Sequence, residues 1–292
     1  MNAIETSKLT KFYGAHRGII DVDLQVKEGD FFGFIGPNGA GKSTTIRTLL
    51  SLISPTSGSA KILGMPVEEK KLEILSQVGY LPSESSFYNN MKVKDLLAFS
   101  ADLRKKDCTQ AAKKLCDRLD LDQSRKISEL SLGNRKKLGI VCAMQHDPKV
   151  YILDEPTSGL DPLVQKEFYD LLEERNQRGA TILLSSHILS EISRYCKTAA
   201  VISGGKILAC DSVERLSHTG VKRVTLRGIQ GIVEFEGIKN AQSEGDNLHF
   251  LYNGEPSKLL SELSHIQFRD LTITDPDLEE VFLHYYRKGE TE

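Results

Sequence analysis

The chain has 292 residues, 39% hydrophobic and 27% charged, the balance of an ordinary folded protein with room for one large domain and a smaller appendage. Lys plus Arg number 38 against 40 Asp plus Glu, a formal charge of -2, so no basic excess exists to hold nucleic acid nonspecifically. No apolar run approaches the roughly 20 residues that cross a bilayer, no signal peptide opens the chain, and scattered cysteines without a Cys-x-x-Cys pair argue for free thiols in a reducing cytosol rather than for disulfide, zinc or redox chemistry.

Through residue 210, short β-rich runs, glycine turns and longer helical stretches alternate, which predicts an α/β domain with helices covering a largely parallel sheet. Phe31-Phe32-Gly33-Phe34-Ile35 reads as a buried strand. Gly36-Pro37-Asn38-Gly39-Ala40-Gly41-Lys42-Ser43-Thr44 follows, matching G-x-x-x-x-G-K-[ST], with a helix expected from Thr45 to Leu52. Glycines let the backbone wrap a phosphate closely, the amides and helix N-terminus attract its charge, and Lys42 can bridge the outer phosphates. Ser43 offers a hydroxyl oxygen to Mg²⁺, a hard cation that prefers oxygen ligands.

From about 87 to 147 the composition turns to Lys, Asp, Leu and Ala at helical spacing, predicting an inserted helical lobe without strands. Val150 to Leu153 is a second buried strand that runs straight into Asp154-Glu155. Burial explains the apolar residues but not the acids: Asp154 is placed to hold Mg²⁺ through its water shell, and Glu155 to accept a proton from the water attacking a γ-phosphate. Thr181 to Leu184 gives another buried strand, and in open α/β sheets ligands sit at such strand ends. A polar break at Ser217-His218-Thr219-Gly220 sets a boundary between residues 1–216 and a small α+β domain, 217–292. Strands are expected there at Val224–Leu226, Ile232–Phe235 and Leu248–Leu251, followed by a last helix with Leu278, Val281, Phe282 and Tyr285 on one face.

Three further segments complete an ordered set: Leu130-Ser131-Leu132-Gly133-Asn134-Arg135-Lys136-Lys137, Ser158-Gly159-Leu160-Asp161 and Ser185-Ser186-His187. With the phosphate loop and the acid pair, they resemble the ATP-binding cassette (ABC) family over about residues 4 to 215. The fold class implied is α/β, a P-loop NTPase cassette with an inserted helical subdomain and a small C-terminal α+β domain. The resemblance implies two cassettes, a second copy or a related one, packed head to tail so that each ATP lies between one chain's phosphate loop and the other's Ser131 and Gly133. His187 would contact the γ-phosphate and hold the attacking water with Glu155, Asp161 would communicate across the dimer, and Tyr13 would stack on adenine, a role open also to Phe12. The sequence departs from the family at Ser83, where glutamine usually follows Val78-Gly79-Tyr80-Leu81-Pro82 and touches Mg²⁺; Ser83, Glu84 or solvent would have to serve instead.

Such cassettes drive either transport across membranes or soluble work on ribosomes, DNA or assembly complexes. A single cassette without a long coiled coil or zinc modules points to transport. The tail from Leu271 to Phe282 resembles that of cassettes from bacitracin-resistance-type exporters of drugs, antibiotics and peptides. The implied setting is the cytoplasmic face of the cell membrane, with separate transmembrane permease subunits docking near Phe87-Tyr88-Asn89-Asn90-Met91.

Overall fold

The structure is a computed structural model that describes residues 1–14, 16–217, 221–229 and 233–274. The chain divides into two compact units, Met1–Cys210 and Asp211–Glu292. Strands β1 (Asn2–Tyr13), β2 (His16–Val22) and β3 (Gln25–Lys27) precede β4 (Phe31–Ile35), which leads through the phosphate loop into helix α1 (Lys42–Leu49). Next come β5 (Ser57–Ile62), β6 (Met65–Pro66), α2 (Lys71–Gln77) and β7 (Val78–Leu81). Helices α3 (Val93–Asp102), α4 (Thr109–Arg118) and α5 (Leu132–Met144), with a 3-10 turn at Ile127–Glu129, then form the helical lobe. There follow β8 (Val150–Asp154), α6 (Pro162–Gln177), β9 (Thr181–Ser186), α7 (Leu189–Tyr195), β10 (Thr198–Ser203) and β11 (Lys206–Ser212), in which the first unit ends at Cys210.

Six strands form one sheet in the order β11-β10-β4-β9-β8-β7, parallel from β10 to β7. Its central strands are largely apolar because both faces are covered: every residue of β4, β8 and β9 is buried, with polar residues only at strand ends. Parallel register sets Ile35 beside Ser186 and Asp154 beside Ser185, so three loops carrying polar side chains leave the same sheet edge together. The first strands form a second sheet, β2-β1-β5-β6 with β3 also on β1, and its pairings are antiparallel. Alternation alone did not predict it, since a strand-rich stretch interrupted by turns reads the same in either sheet. Helix α1 packs against β2, β5 and β8, placing Ile46, Leu49 and Leu50 in one apolar core with residues of both sheets.

The phosphate-loop helix begins at Lys42 and ends at Leu49, not at Thr45 and Leu52. The loop's last glycine, Gly41, already caps it in a left-handed conformation, so the lysine and the hydroxyls lie within the first turn. Residues 87–147 hold three α-helices and no strand, with a single isolated bridge from Lys92 to Lys126.

In the second unit, α8 (Val213–Ser217) is followed by β12 (Val221–Arg227), β13 (Ile238–Glu244), β14 (Asn247–Asn253), α9 (Pro256–Leu263) and β15 (Asp270–Thr274). The sheet runs β13-β14-β12-β15, antiparallel throughout. Val224, Leu226, Leu248, Phe250 and Tyr252 point to one face, where Leu259 and Leu263 of α9 cover them. The division falls between residues 210 and 211, near the end of β11, where composition had placed it between 216 and 217, so α8 lies in the second unit. The strand expected at Ile232–Phe235 is a correction: Val233–Phe235 is irregular, and the strand that pairs with β14 on the side away from β12 is the polar β13 further along. Val233 and Phe235 are apolar because they pack on this core, and that gave them the look of a strand. The last helix, at Leu278 to Tyr285, and most of the exporter-like tail lie outside the described residues.

Candidate nucleotide site

Between β4 and α1 the chain turns on positions that only glycine fits. A Cβ at Gly36 would stand 2.4 Å from the Ile202 carbonyl, and Gly41 has a φ of 110° with Ile19 pressed against it. The loop is further fixed by the Ala40 amide donating to Pro37 O at 3.1 Å and the Thr45 hydroxyl donating to Gly41 O at 2.9 Å. Asn38 and Gly39 are left exposed at its tip. A cleft of about 200 Å³ opens here, lined by Pro37, Asn38, Gly39 and the run from Gly41 to Thr44, together with Tyr13, Gly18 and Glu155. Tyr13 is 44% exposed. Of the two adjoining aromatics it alone lines the cleft, and neither Ser83 nor Glu84 does.

The buried Lys42 ammonium donates to Gly36 O at 2.7 Å and Pro37 O at 3.2 Å, and pairs with Glu155 Oε1 at 3.2 Å. The same carboxylate oxygen lies 3.3 Å from His187 Nδ1. Partial burial pushes the Glu155 carboxyl up, but the hydrogen bond and charge of Lys42, joined by His187, outweigh it and leave its pKa below the ordinary glutamate value. Glu155 therefore stands as a carboxylate between two nitrogen groups. Its backbone is in the left-handed region, φ 47°, an unusual conformation for a glutamate that clusters at functional sites. The Glu155 amide donates to Ser185 O at 3.0 Å, pinning the turn to β9.

Asp154 is fully buried at the end of β8. Its Oδ1 accepts from the Ser185 hydroxyl at 3.1 Å, whereas Oδ2 has no hydrogen-bond partner. A buried, unpartnered carboxylate oxygen is costly unless something polar meets it.

The remaining predicted residues sit at helix starts. Ser131 is the N-cap of α5, its hydroxyl accepting from the Asn134 amide at 3.3 Å, with Gly133 in the first turn and Leu132 75% exposed between them. Asp161 is the N-cap of α6, its Oδ1 accepting from the amides of Leu163 and Val164, both at 3.1 Å. Ser131, Gly133 and Asp161 do not line this chain's cleft.

Two side chains emerge that sequence reasoning passed over. Glu191, on α7, accepts from the Thr157 hydroxyl and from the Ser186 hydroxyl, each at 2.7 Å. It thereby ties the segment after Glu155 to the one carrying His187. Lys136 is buried on α5 and donates to Pro82 O at 3.2 Å, Ser83 O at 2.9 Å and Glu155 O at 3.1 Å. Burial pulls its pKa down to about 8, against the pull of Asp154 and Glu155. Its spacing from Ile140 and Ala143 put it on the apolar face of the helix, a signal available in the sequence.

A family model described as ABC transporter matches residues 19–158. The chain is 40% identical over 209 residues to the bacitracin transport ATP-binding protein BcrA of Bacillus licheniformis, across 70% of this chain and 68% of that one. It is 34% identical over 300 residues to the Nod factor export ATP-binding protein I of Cupriavidus pinatubonensis, across 96% and 89%. Among solved structures, an ATP-binding subunit of an ABC transporter matches with a TM-score of 0.69 at 30% identity, over 73% of this chain and 91% of that chain. A phosphate loop, an acid pair and a facing histidine at one parallel-sheet edge agree with these relationships: the chain belongs to the ABC transporter family, as an ATP-binding subunit that hydrolyses ATP.

Proposed function

We propose that this chain energises export of an antibiotic, drug or peptide, working as a pair of cassettes beneath separate transmembrane subunits at the cytoplasmic face of the cell membrane. The observation that carries the catalytic part is the convergence of Lys42 and His187 on one oxygen of Glu155 at the phosphate cleft. Support for the export part comes from the relatives named for bacitracin transport and Nod factor export. No helix among the described residues is long and apolar enough to cross a membrane, which fits a motor that borrows its membrane path from partners.

Lys42 would leave its carbonyl contacts for the outer phosphates, and Glu155 would lose its nearest cation as it did so. The carboxylate then becomes a stronger base, facing the attacking water that His187 helps to hold. Tyr13 would stack on adenine, while Asn38 to Thr44 wrap the phosphates. Ser131 and Gly133 at the start of α5 would close the site of the opposing cassette, and Asp161 would lie along that interface. The donor set fits Mg²⁺, because the Ser43 hydroxyl lines the cleft and the unpartnered Asp154 Oδ2, on the residue before the cleft-lining Glu155, is a second hard oxygen. Bound there, the ion would offset charge on the phosphates.

The substitution Glu155→Gln tests this reading: ATP binding is kept and turnover is lost. Unchanged steady-state ATPase activity would remove Glu155 from the role of base.

A further inference from the structure

Lysine is seldom buried, and an apolar side chain of similar length would fill the same space without the desolvation penalty. Lys136 is nevertheless 5% exposed, and all three of its N–H donors find main-chain carbonyls, those of Pro82, Ser83 and Glu155. These acceptors come from two segments distant in sequence, the turn leaving β7 and the turn leaving β8. The donor comes from α5, whose N-cap is Ser131 and whose first turn holds Gly133.

We propose that Lys136 is a positioning residue that locks the backbone of Glu155 to the Pro82-Ser83 turn and to α5, so that the three move as one piece. Glu155 adopts its strained left-handed backbone between two anchors: its amide on Ser185 O and its carbonyl on Lys136. Removing the second anchor lets the peptide relax and swings the carboxylate away from its place over the cleft. The grip also gives Ser83 a function independent of its side chain, because what Lys136 holds is the carbonyl at that position. Any rotation of α5 is transmitted to the carboxylate through a single ammonium group.

This inference rests on the reading of Glu155 as the base, and Glu155→Gln is measured alongside. In the full-length protein, Lys136→Met should lower kcat for MgATP by about tenfold or more while KM stays within about twofold. Lys136→Arg, which keeps the charge and several donors, should recover a substantial part of the loss. Hydrogen exchange should quicken at the amide of Glu155, which donates to Ser185 O, and at the amide of Glu84 after Ser83, without a matching change in the rest of the unit. A cooperatively folded Lys136→Met protein with kcat within about twofold of the parent overturns the proposal, as does a loss expressed equally in ATP affinity. Should the Met variant fail to melt cooperatively, Lys136→Gln decides by the same criteria. Turnover retained in Glu155→Gln defeats the underlying assignment of the base; turnover lost there but kept in Lys136→Met defeats only the positioning role.

Discussion

Replacing Glu191 with alanine removes the acceptor shared by Thr157 and Ser186. Hydrogen bonds to a charged group contribute about 1.5–3 kcal/mol each. Glu191 is only partly buried, and water replaces some of what is lost, so the expected cost of Glu191→Ala is about 2–4 kcal/mol. In a unit of this size each kcal/mol shifts Tm by about 2–4 °C, giving a fall of about 4–16 °C. The Ser186 hydroxyl also accepts from the Ile188 amide at 2.9 Å, so losing its anchor loosens the turn that holds His187. Turnover should therefore drop along with Tm. Glu191→Gln keeps one acceptor oxygen and should cost about 1 kcal/mol. The assay is a thermal melt followed by near-ultraviolet dichroism, a signal to which the stacked Tyr169 and Tyr195 rings, 3.8 Å apart and close to Glu191, contribute directly. An alanine variant melting within about 1 °C of the parent would refute the brace.

Two further outcomes follow from the same cluster. Lys42→Ala should weaken ATP binding by about tenfold or more, since it removes the cation proposed to meet the outer phosphates; undiminished affinity in a titration would contradict the proposed role. The depressed pKa of Glu155 means that its ionised form stabilises the fold. That contribution is complete above the ordinary glutamate pKa of about 4.3 and is lost as pH falls through the lower folded value. The gap in unfolding midpoint between the parent and Glu155→Gln should thus close toward acid, and a gap that widens below about pH 4 would show the sign to be wrong.

What could be read from the chain alone were the features whose cause is local. The phosphate loop is legible because Gly36, Gly41 and Lys42 serve one another within a few residues, and the acid pair because Asp154 ends a strand with no polar residue before it. The start of α1 at Lys42 was missed, since the helix is capped by a left-handed glycine rather than by a hydroxyl or carboxylate that sequence patterns reveal. The antiparallel sheet of β1 and its neighbours was missed because alternation in short strands does not say which partner is chosen. Val233 and Phe235 misled for the same reason, serving a core as irregular chain. Lys136 and Glu191 depend on contacts between segments far apart in sequence. Spacing could place Lys136 on a buried face, but the three carbonyls it meets belong to the fold.

The direct test of the central claim is the behaviour of Glu155→Gln with ATP. Turnover should fall by about 100-fold or more, as expected when a general base is removed, while ATP affinity is kept. The protein's mass in solution should double with ATP and return to that of a single chain with ADP, because in the proposed two-chain site uncleaved nucleotide would hold the two cassettes together. A Glu155→Gln protein that hydrolyses ATP at the parent rate, or stays a single chain when saturated with ATP, would contradict the two-chain site and the base assigned to it.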